Sequence, residues 1–147
     1  MTTASIHAAR EPFGYANLIG IKASDRLELS DKVQAGFPFK AFTILTRSME
    51  VSNKELAELV QISARTLNRR QKEGKLKADE SDRLLRFARI FTHAVNLFEG
   101  DTEAAQNWLS NDNRALKDES PLGASRTEEG AREVENLIVR LEHGVFS

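Results

Sequence analysis

The chain has 147 residues, of which 40% are hydrophobic and 29% are charged, as is typical of a soluble globular protein large enough to bury a core. It has no cysteine, which excludes disulfides and thiolate metal sites and favours a cytoplasmic protein, and no apolar run approaches the roughly 20 residues that a membrane helix needs. The formal net charge of −1 hides a basic middle, where residues 47–77 hold eight Lys or Arg against four Asp or Glu, and an acidic C-terminal third, where residues 99–147 hold five against eleven.

The opening has no long apolar segment behind a basic region, so secretion is not expected, and residues 1–20 are predicted to form a flexible leader. A first helix is capped by Ser24 or Asp25 and ends at Gly36. A second helix has Pro38 in its first turn, where the missing N–H costs nothing. Its apolar residues recur every three or four positions and define one face: Phe39, Phe42, Leu45 and Met49.

Two short helices follow, with the pattern of a helix-turn-helix. Ser52 and Glu55 have the spacing of a capping box that opens a helix over residues 53–60, and Ser63 caps a second helix that ends near Gly74. Ala57 is small where the two helices must cross closely. The apolar residues with the spacing that locks such a pair are Leu56, Val60, Ile62 and Leu67.

The second of these helices presents polar side chains suited to DNA. Arg can bind guanine through two hydrogen bonds and Asn can bind adenine, whereas Lys and Ser usually contact phosphate. Two residues depart from the usual pattern: Gln61 occupies a turn position that often needs Gly, and Arg70 stands where an apolar residue is common. The alternative is an αα-hairpin that never contacts DNA. The predicted DNA-binding residues are Lys54, Ser63, Arg65, Thr66, Asn68, Arg69 and Lys72.

The remainder also has helical patterns. A long helix spans residues 79–98 and is closed by Gly100, and a shorter one over residues 102–109 contains Trp108. The polar segment "SNDNRALKDES" is the best candidate for a flexible connection, and Ser120 and Pro121 start a short helical turn. Thr127 caps a final helix that Gly144 ends. The two buried stripes are Leu84, Ala88, Phe91, Val95 and Phe98 in the long helix, and Ala131, Val134, Leu137 or Ile138, and Leu141 in the last.

No alternating strand pattern is present, so the predicted fold is all-α, with a helix-turn-helix in its N-terminal part and a small helical C-terminal part. No pattern of a catalytic or metal site stands out either. His7, His93 and His143 lack metal-ligand spacing, and the neighbouring carboxylates of Glu128 and Glu129 point in different directions on a helix. We therefore expect no enzyme activity, no cofactor and no bound metal.

The uneven charge indicates two different partners, although chance variation among solvated helix faces is the alternative. The sequence closes with "RLEHGVFS", in which Phe146 is an apolar residue at a position where polar residues are usual. On the residues alone, Phe146 either folds back into the core or inserts into a partner.

The runs "ESDRLLRFARIFTHAVNLFEGDTEAAQNWL" and "SPLGASRTEEGAREVENLIVRLEHGVFS" resemble the Xre-type antitoxins of RES–Xre toxin–antitoxin pairs, a family that also contains ParS- and MbcA-like proteins. The resemblance covers the chain from about Gly36 to the end. The order and spacing of its marks downstream of a helix-turn-helix make it specific. Those marks are Trp108, Leu109, Pro121, Leu122, Thr127, Gly130, Val134 and residues 142–145.

The resemblance implies a protein that binds a cognate RES-domain toxin, which consumes NAD, and covers the toxin's active-site cleft while the helix-turn-helix binds promoter DNA of its own operon. It divides the chain into a leader (1–20), a helix-turn-helix DNA-binding domain (21–78) and a toxin-binding domain (79–147). The segment "KDESPLGAS" departs from the family pattern and leaves that loop's geometry open. The implied toxin-binding residues are Arg140, Glu142, His143, Gly144, Val145, Phe146 and Ser147.

Three functions remain open at this point. The chain is an antitoxin that also represses transcription, a stand-alone helix-turn-helix regulator whose acidic part serves as a dimerisation domain, or an interaction module whose helix-turn-helix no longer binds DNA. A homodimer is expected in the first two cases, because operator reading by this motif usually needs two-fold symmetry. The region of Phe39 and Phe42 and the long helix are the candidates for that contact.

Overall fold

The computed structural model describes residues 13–144, and nine α-helices make up most of that range. Across the described residues no β-strand forms, and the strand-like pairings are isolated bridges between Pro38 and Lys75 and between Asn113 and Glu119. The predicted all-α fold is confirmed. The helices are α1 (Gly14–Leu18), α2 (Arg26–Ala35), α3 (Phe39–Met49), α4 (Asn53–Leu59), α5 (Ala64–Glu73), α6 (Ala78–Leu97), α7 (Thr102–Ser110), α8 (Pro121–Ala124) and α9 (Glu128–Glu142), with a 3₁₀ turn at Arg114–Leu116 between α7 and α8.

Helix α6 lies at the centre of the fold, and its sides contact α1, α2, α3, α7 and α9. At 20 residues it is about 30 Å long, so one straight element supports helices from both halves of the sequence. Its predicted stripe is confirmed: Leu84, Ala88, Phe91 and Val95 have no exposed surface, and Phe98 is partly buried. Helix α9 lies against α6 with Ala131, Val134, Leu137 and Ile138 buried, so both of the alternatives at positions 137 and 138 face the core.

Short-range signals determine where the helices begin. In six of the described helices, a side chain at the N-cap accepts a hydrogen bond from the backbone N–H three residues later, which satisfies one of the free donors of the first turn. Asp25 takes this role in α2 instead of Ser24, and Pro38 is the residue just before α3 and not part of its first turn. The six capping residues are Asp25, Ser52, Ser63, Asp101, Ser120 and Thr127.

The structure differs from the predicted leader over residues 13–20. Helix α1 packs against α6, and Ala16 and Ile19 are almost completely buried. The ring of Phe13 lies 6.3 Å from the ring of Tyr15 in an edge-on arrangement. A helix of five residues is too short to show a helical period in the sequence, so the sequence does not indicate α1. Residues 1–12, the rest of that prediction, lie outside the described residues.

The segment of residues 110–120 is a closed loop and not the flexible connection that its polar sequence predicts. The N–H of Asn113 donates to the carbonyl of Glu119 at 3.1 Å, and the N–H of Asp118 donates to the carbonyl of Asn113 at 3.0 Å. Leu116, at the end of the 3₁₀ turn, is 8% exposed and anchors the loop to the core. A single apolar residue among polar ones is therefore enough to order this segment.

One of the two candidates for a dimer contact, the region of Phe39 and Phe42, is not available. Phe39 and Phe42 are buried, with ring centroids 5.4 Å apart, and they belong to the same core cluster as the apolar stripe of α6. Their helical spacing identified a buried face correctly, but that face is covered by the chain itself. No helix in residues 13–144 is long and apolar enough to cross a membrane.

Candidate functional site

Helices α4 and α5 form the predicted helix-turn-helix. Leu56 and Val60 are completely buried, and Ala57 is buried where the two helices approach each other. The N–H of Ile62 donates to the carbonyl of Ala57 at 2.8 Å and closes the turn. Gln61 has a φ of 59°, the left-handed conformation that the sequence predicts for this position. The two helices are therefore joined by a tight turn, and the backbone of Gln61 is held in a conformation that is unfavourable for a residue other than glycine.

The residues predicted to bind DNA lie on α4, α5 and the turn between them. Lys54, Arg65, Asn68, Arg69 and Lys72 are exposed. Ser63 and Thr66 are engaged with each other, since the Ser63 hydroxyl accepts the N–H of Thr66 at 3.1 Å and donates to its hydroxyl at 3.0 Å. A groove of about 430 Å³ separates the two helices, with Lys54, Ser63 and Asn68 on its rim and Ala57, Ile62 and Leu67 along its apolar wall.

Arg70, the second departure from the usual pattern, points away from this polar surface. It is 7% exposed, and its Nε donates to Oε1 of Glu80 in α6 at 2.7 Å. Its Nη1 also donates to Glu73 at 3.1 Å. The hydrogen bond to Glu80 is the largest reason why the pKa of Arg70 lies above its ordinary value; burial opposes the shift, and Glu73 adds to it. A buried ion pair therefore takes the place of the usual apolar contact at this position, and helix α5 still continues to Glu73.

Four of the seven predicted toxin-binding residues are described, and all four are exposed at the end of α9. Arg140 and Glu142 lie in the last turn, and Arg140 is 3.7 Å from the carboxylate of Glu133. The N–H of His143 donates to the carbonyl of Val139, and Gly144 has a φ of 69°. The other three, Val145, Phe146 and Ser147, lie outside the described residues.

An exposed apolar side chain lies beside these residues. Val139 is 52% exposed, although α9 is otherwise apolar only on the face that it buries. Positions 139 and 143 lie one turn apart on the same face of the helix, so Val139 adjoins His143. The sequence pattern did not predict a function for Val139.

A network of ion pairs, which sequence reasoning missed, joins α6 to α9. Arg86 Nε is 3.3 Å from Glu128, and Arg89 Nη2 is 3.1 Å from Glu135. His93 Nε2 is 3.5 Å from the other oxygen of Glu135. Arg86, Arg89 and His93 recur at helical spacing in the sequence, which was the available signal for one polar face of α6.

The network opens onto a cleft of about 610 Å³ between α1, α2, α6 and α9. Arg26, Arg89, His93, Arg132 and Glu135 are among the side chains that line it. Its charges are mixed: Arg89 pairs with Glu128 and Glu135, and Arg132 pairs with Glu128. Among the described residues, no group of three or more His, Cys, Asp or Glu could hold a metal ion.

Comparison with known proteins matches two adjoining regions of the chain. Residues 22–89 match the Antitoxin Xre-like helix-turn-helix domain, and residues 93–144 match the Antitoxin Xre/MbcA/ParS C-terminal toxin-binding domain. The chain is 38% identical over 130 residues to an Antitoxin Xre of Yersinia enterocolitica and 34% identical over 130 residues to one of Photorhabdus laumondii, and both alignments cover 88% of each chain. An Antitoxin Xre of Pseudomonas putida is 29% identical over 123 residues, covering 83% of this chain and 75% of the relative. The two matched regions meet inside α6.

Proposed function

The chain belongs to the family of Xre antitoxins, and on that premise we propose that it binds and inhibits a cognate RES-domain toxin that consumes NAD and regulates its own operon through the helix-turn-helix. The family consists of antitoxins and not of enzymes, in agreement with the expectation from the sequence. The observation that carries the proposal is the pairing of two matched domains with two separate exposed surfaces, one on α5 and one at the end of α9.

The toxin is held, in this proposal, by residues 140–147, which cover its active-site cleft. A pocket that binds the phosphates of a dinucleotide carries Arg or Lys and an apolar or aromatic wall. Glu142 offers a carboxylate to such cations and Phe146 offers an aromatic ring to such a wall. The exposed positions of Arg140, Glu142 and His143 leave them available for this contact.

Deleting Val145 to Ser147 tests the toxin half. We expect the truncated chain to lose protection when it is co-expressed with the cognate toxin, measured as cell survival and as cellular NAD. Phe146→Ser and Leu27→Ser provide a matched pair, since Leu27 is an apolar residue that is 78% exposed on α2, in the other half of the chain. Only Phe146→Ser should weaken protection. Full protection by the truncated chain, at an equal protein level, would refute the covering mechanism.

Replacing Arg69 by alanine tests the DNA half. Loss of one Arg contact should weaken binding to a duplex from the promoter of the operon by roughly 1–3 kcal/mol if the contact is to a base. Arg114→Ala removes an equally exposed arginine from the 3₁₀ turn and serves as the control. Protection against the toxin should remain intact in both variants. If Arg69→Ala abolished protection in a folded protein, the division between a DNA surface and a toxin surface would be wrong.

The match to a toxin-binding domain over residues 93–144 favours this function over a stand-alone regulator whose acidic part only dimerises. We propose further that the chain works in the cytoplasm as a homodimer, because two-fold symmetry matches the symmetry of most operators of this motif. Light scattering of the purified chain measures that state directly. A monomeric mass at the concentrations where the promoter duplex binds would contradict it.

A further inference from the structure

Three side chains near the start of α6 form hydrogen bonds with the segment that contains the helix-turn-helix. Ser81 Oγ accepts the N–H of Phe37 at 2.8 Å and donates to the carbonyl of Lys77 at 2.8 Å. Arg83 Nε donates to the carbonyl of Val60, the C-cap of α4, at 2.6 Å. Glu80 accepts the guanidinium of Arg70 in α5. Each contact reaches a different point: the segment before α3, the turn after α4, and the last turn of α5.

Of these contacts, the pair of Arg70 and Glu80 is the one between two charged side chains, and it is buried. The two side chains are 8% and 6% exposed, and the Arg70 Nε to Glu80 Oε1 distance is 2.7 Å. The same Oε1 atom accepts the N–H of Lys77 at 2.8 Å, which fixes the carboxylate against the first turn of α6. Since the hydrogen bond to Nε has a preferred direction, it limits the rotation of α5 about its own axis as well as its distance from α6.

Stability alone does not account for this pair. Burying two charges removes them from water, and apolar residues of similar volume often replace such pairs without loss of stability. Leu67, one turn earlier on α5, shows that the helix already has an apolar contact to the core. A directional contact, in contrast, sets the orientation of the helix, which apolar packing specifies less sharply.

We propose that Arg70 is a positioning residue: paired with Glu80, it sets the orientation of α5 and thereby the aim of Arg65, Asn68 and Arg69 at bases, and it makes no contact with DNA itself. The inference rests on the proposed binding of promoter DNA. It assigns to one arginine of a basic helix a role different from that of its neighbours. Lys72, an exposed cation suited to phosphate, adds to affinity for any DNA sequence, whereas Arg70 adds to the preference for one.

The test compares Arg70→Met/Glu80→Met, Glu80→Gln and Lys72→Ala with the unchanged chain. Replacing both charged partners avoids leaving one buried charge unpaired. Each protein is titrated against a duplex from its own promoter and against a duplex of equal length and unrelated sequence, at several salt concentrations. The slope of log K against log salt reports the phosphates neutralised, about 0.9 for each in B-DNA. Thermal unfolding is recorded for all four proteins.

For the double Met variant we expect unfolding close to that of the unchanged chain, an unchanged salt slope and unchanged affinity for the unrelated duplex. Its affinity for the promoter should fall roughly tenfold or more, as when one base contact is lost. Glu80→Gln keeps an acceptor oxygen and should show a smaller loss in the same direction. Lys72→Ala should instead reduce the salt slope and weaken binding to both duplexes.

Three results would overturn the inference. A salt slope reduced as in Lys72→Ala would mean that Arg70 contacts phosphate. Promoter affinity equal to that of the unchanged chain would mean that the pair does not position α5. A double variant that fails to fold would mean that the pair is a condition of the fold. If the unchanged chain itself shows no preference for its promoter, the proposed function fails instead, and the two failures are thus distinguishable.

Discussion

Gly130, the third residue of α9, faces a backbone carbonyl at a distance that leaves no room for a side chain. A Cβ atom built at this position would lie 1.8 Å from the carbonyl oxygen of Ala124, the last residue of α8. Real Cβ contacts are essentially never shorter than 3.0 Å, so Gly130→Ala must push α9 away from α8. Overpacking of this kind costs roughly 1–3 kcal/mol, and the better helix propensity of alanine returns up to about 1 kcal/mol.

Because the contact is with backbone and not with the end of a flexible side chain, the cost lies at the upper end of that range, about 2–3 kcal/mol. The net loss of about 1–2 kcal/mol should lower the melting temperature by roughly 2–8 °C for a chain of this length. Because α9 carries the proposed toxin contacts at its far end, protection against the toxin should weaken as well. Binding of the promoter duplex at 25 °C should be unchanged, since α4 and α5 do not contain the altered contact. Circular dichroism measures the melting temperature, and co-expression with the toxin measures protection.

Gly123→Ala is the matched control. Both glycines are three residues after a hydroxyl N-cap, and both N–H groups donate to that hydroxyl at 3.0 Å. The nearest atom to a Cβ at Gly123 is Oε1 of Glu119 at 2.8 Å, the end of a flexible side chain that can move aside. The melting temperature of Gly123→Ala should therefore stay close to that of the unchanged chain. Equal melting temperatures for the two variants would refute the reasoning from backbone contact.

Three further predictions follow from local geometry. Gln61→Gly should stabilise the chain by up to about 1 kcal/mol in chemical denaturation, because it removes the cost of a left-handed residue. Gly36→Ala should cost more stability than Gly74→Ala, since both have positive φ but only Gly36 faces a backbone oxygen, at 2.2 Å from the added Cβ. Hydrogen bonds from Ser24 lower the pKa of the Glu28 carboxyl below its ordinary value of 4.5. The ionised carboxylate therefore stabilises the fold at pH values above the ordinary pKa, and this contribution is lost as the pH falls through the lowered pKa. Ser24→Ala should raise the pKa of Glu28 in an NMR titration.

The features predicted correctly from the sequence depend on residues close together in the chain. Ser52, Ser63 and Thr127 cap helices through hydrogen bonds that span three positions, and the stripe of α6 repeats at helical spacing. The unusual turn at Gln61 was also visible, because the strain there is a property of one residue. Such signals do not require knowledge of which helices meet in three dimensions.

The features that the sequence did not predict depend on contacts between distant segments. Arg70 was recognised as out of place, but its partner Glu80 could be identified only once α5 and α6 were seen together. Leu116 orders a loop because the core lies beneath it. Helix α1 forms because α6 covers its apolar side, since five residues do not hold a helix in water on their own.

Several of the residues that carry the family resemblance belong to the core. Leu109 and Val134 are completely buried, Pro121 and Leu122 are buried, and the ring of Trp108 lies 6.4 Å from that of Phe98. These core residues identify the shape of the C-terminal part. Other marks of the resemblance, among them Glu142 and His143, are exposed and belong to the proposed toxin contact, which the truncation experiment tests.

The structure also reduces the charge contrast from which two partners were inferred. Glu128 and Glu135 contribute to the acidic C-terminal third, but they pair with Arg86 and Arg89 of α6, which lie outside that segment. Part of the acidity is therefore neutralised within the fold. The charge distribution of the folded chain therefore gives less support for a second partner than the sequence did. The match to a toxin-binding domain supports that partner instead.

One positive charge of the basic segment, residues 47–77, is likewise neutralised within the fold. This reduces the charge available for contact with DNA. Of the eight Lys and Arg residues in residues 47–77, Arg70 is buried in its ion pair and the other seven are exposed, together with four Asp or Glu. Binding to DNA of any sequence depends almost entirely on phosphate neutralisation, so a surface with this small surplus should bind unrelated DNA weakly. Affinity for a promoter must then come mainly from directed contacts of residues such as Asn68 and Arg69. Directed contacts depend on how α5 is oriented. Because the basic surplus of this surface is small, affinity for the promoter should depend strongly on the orientation that the buried Arg70 gives to α5.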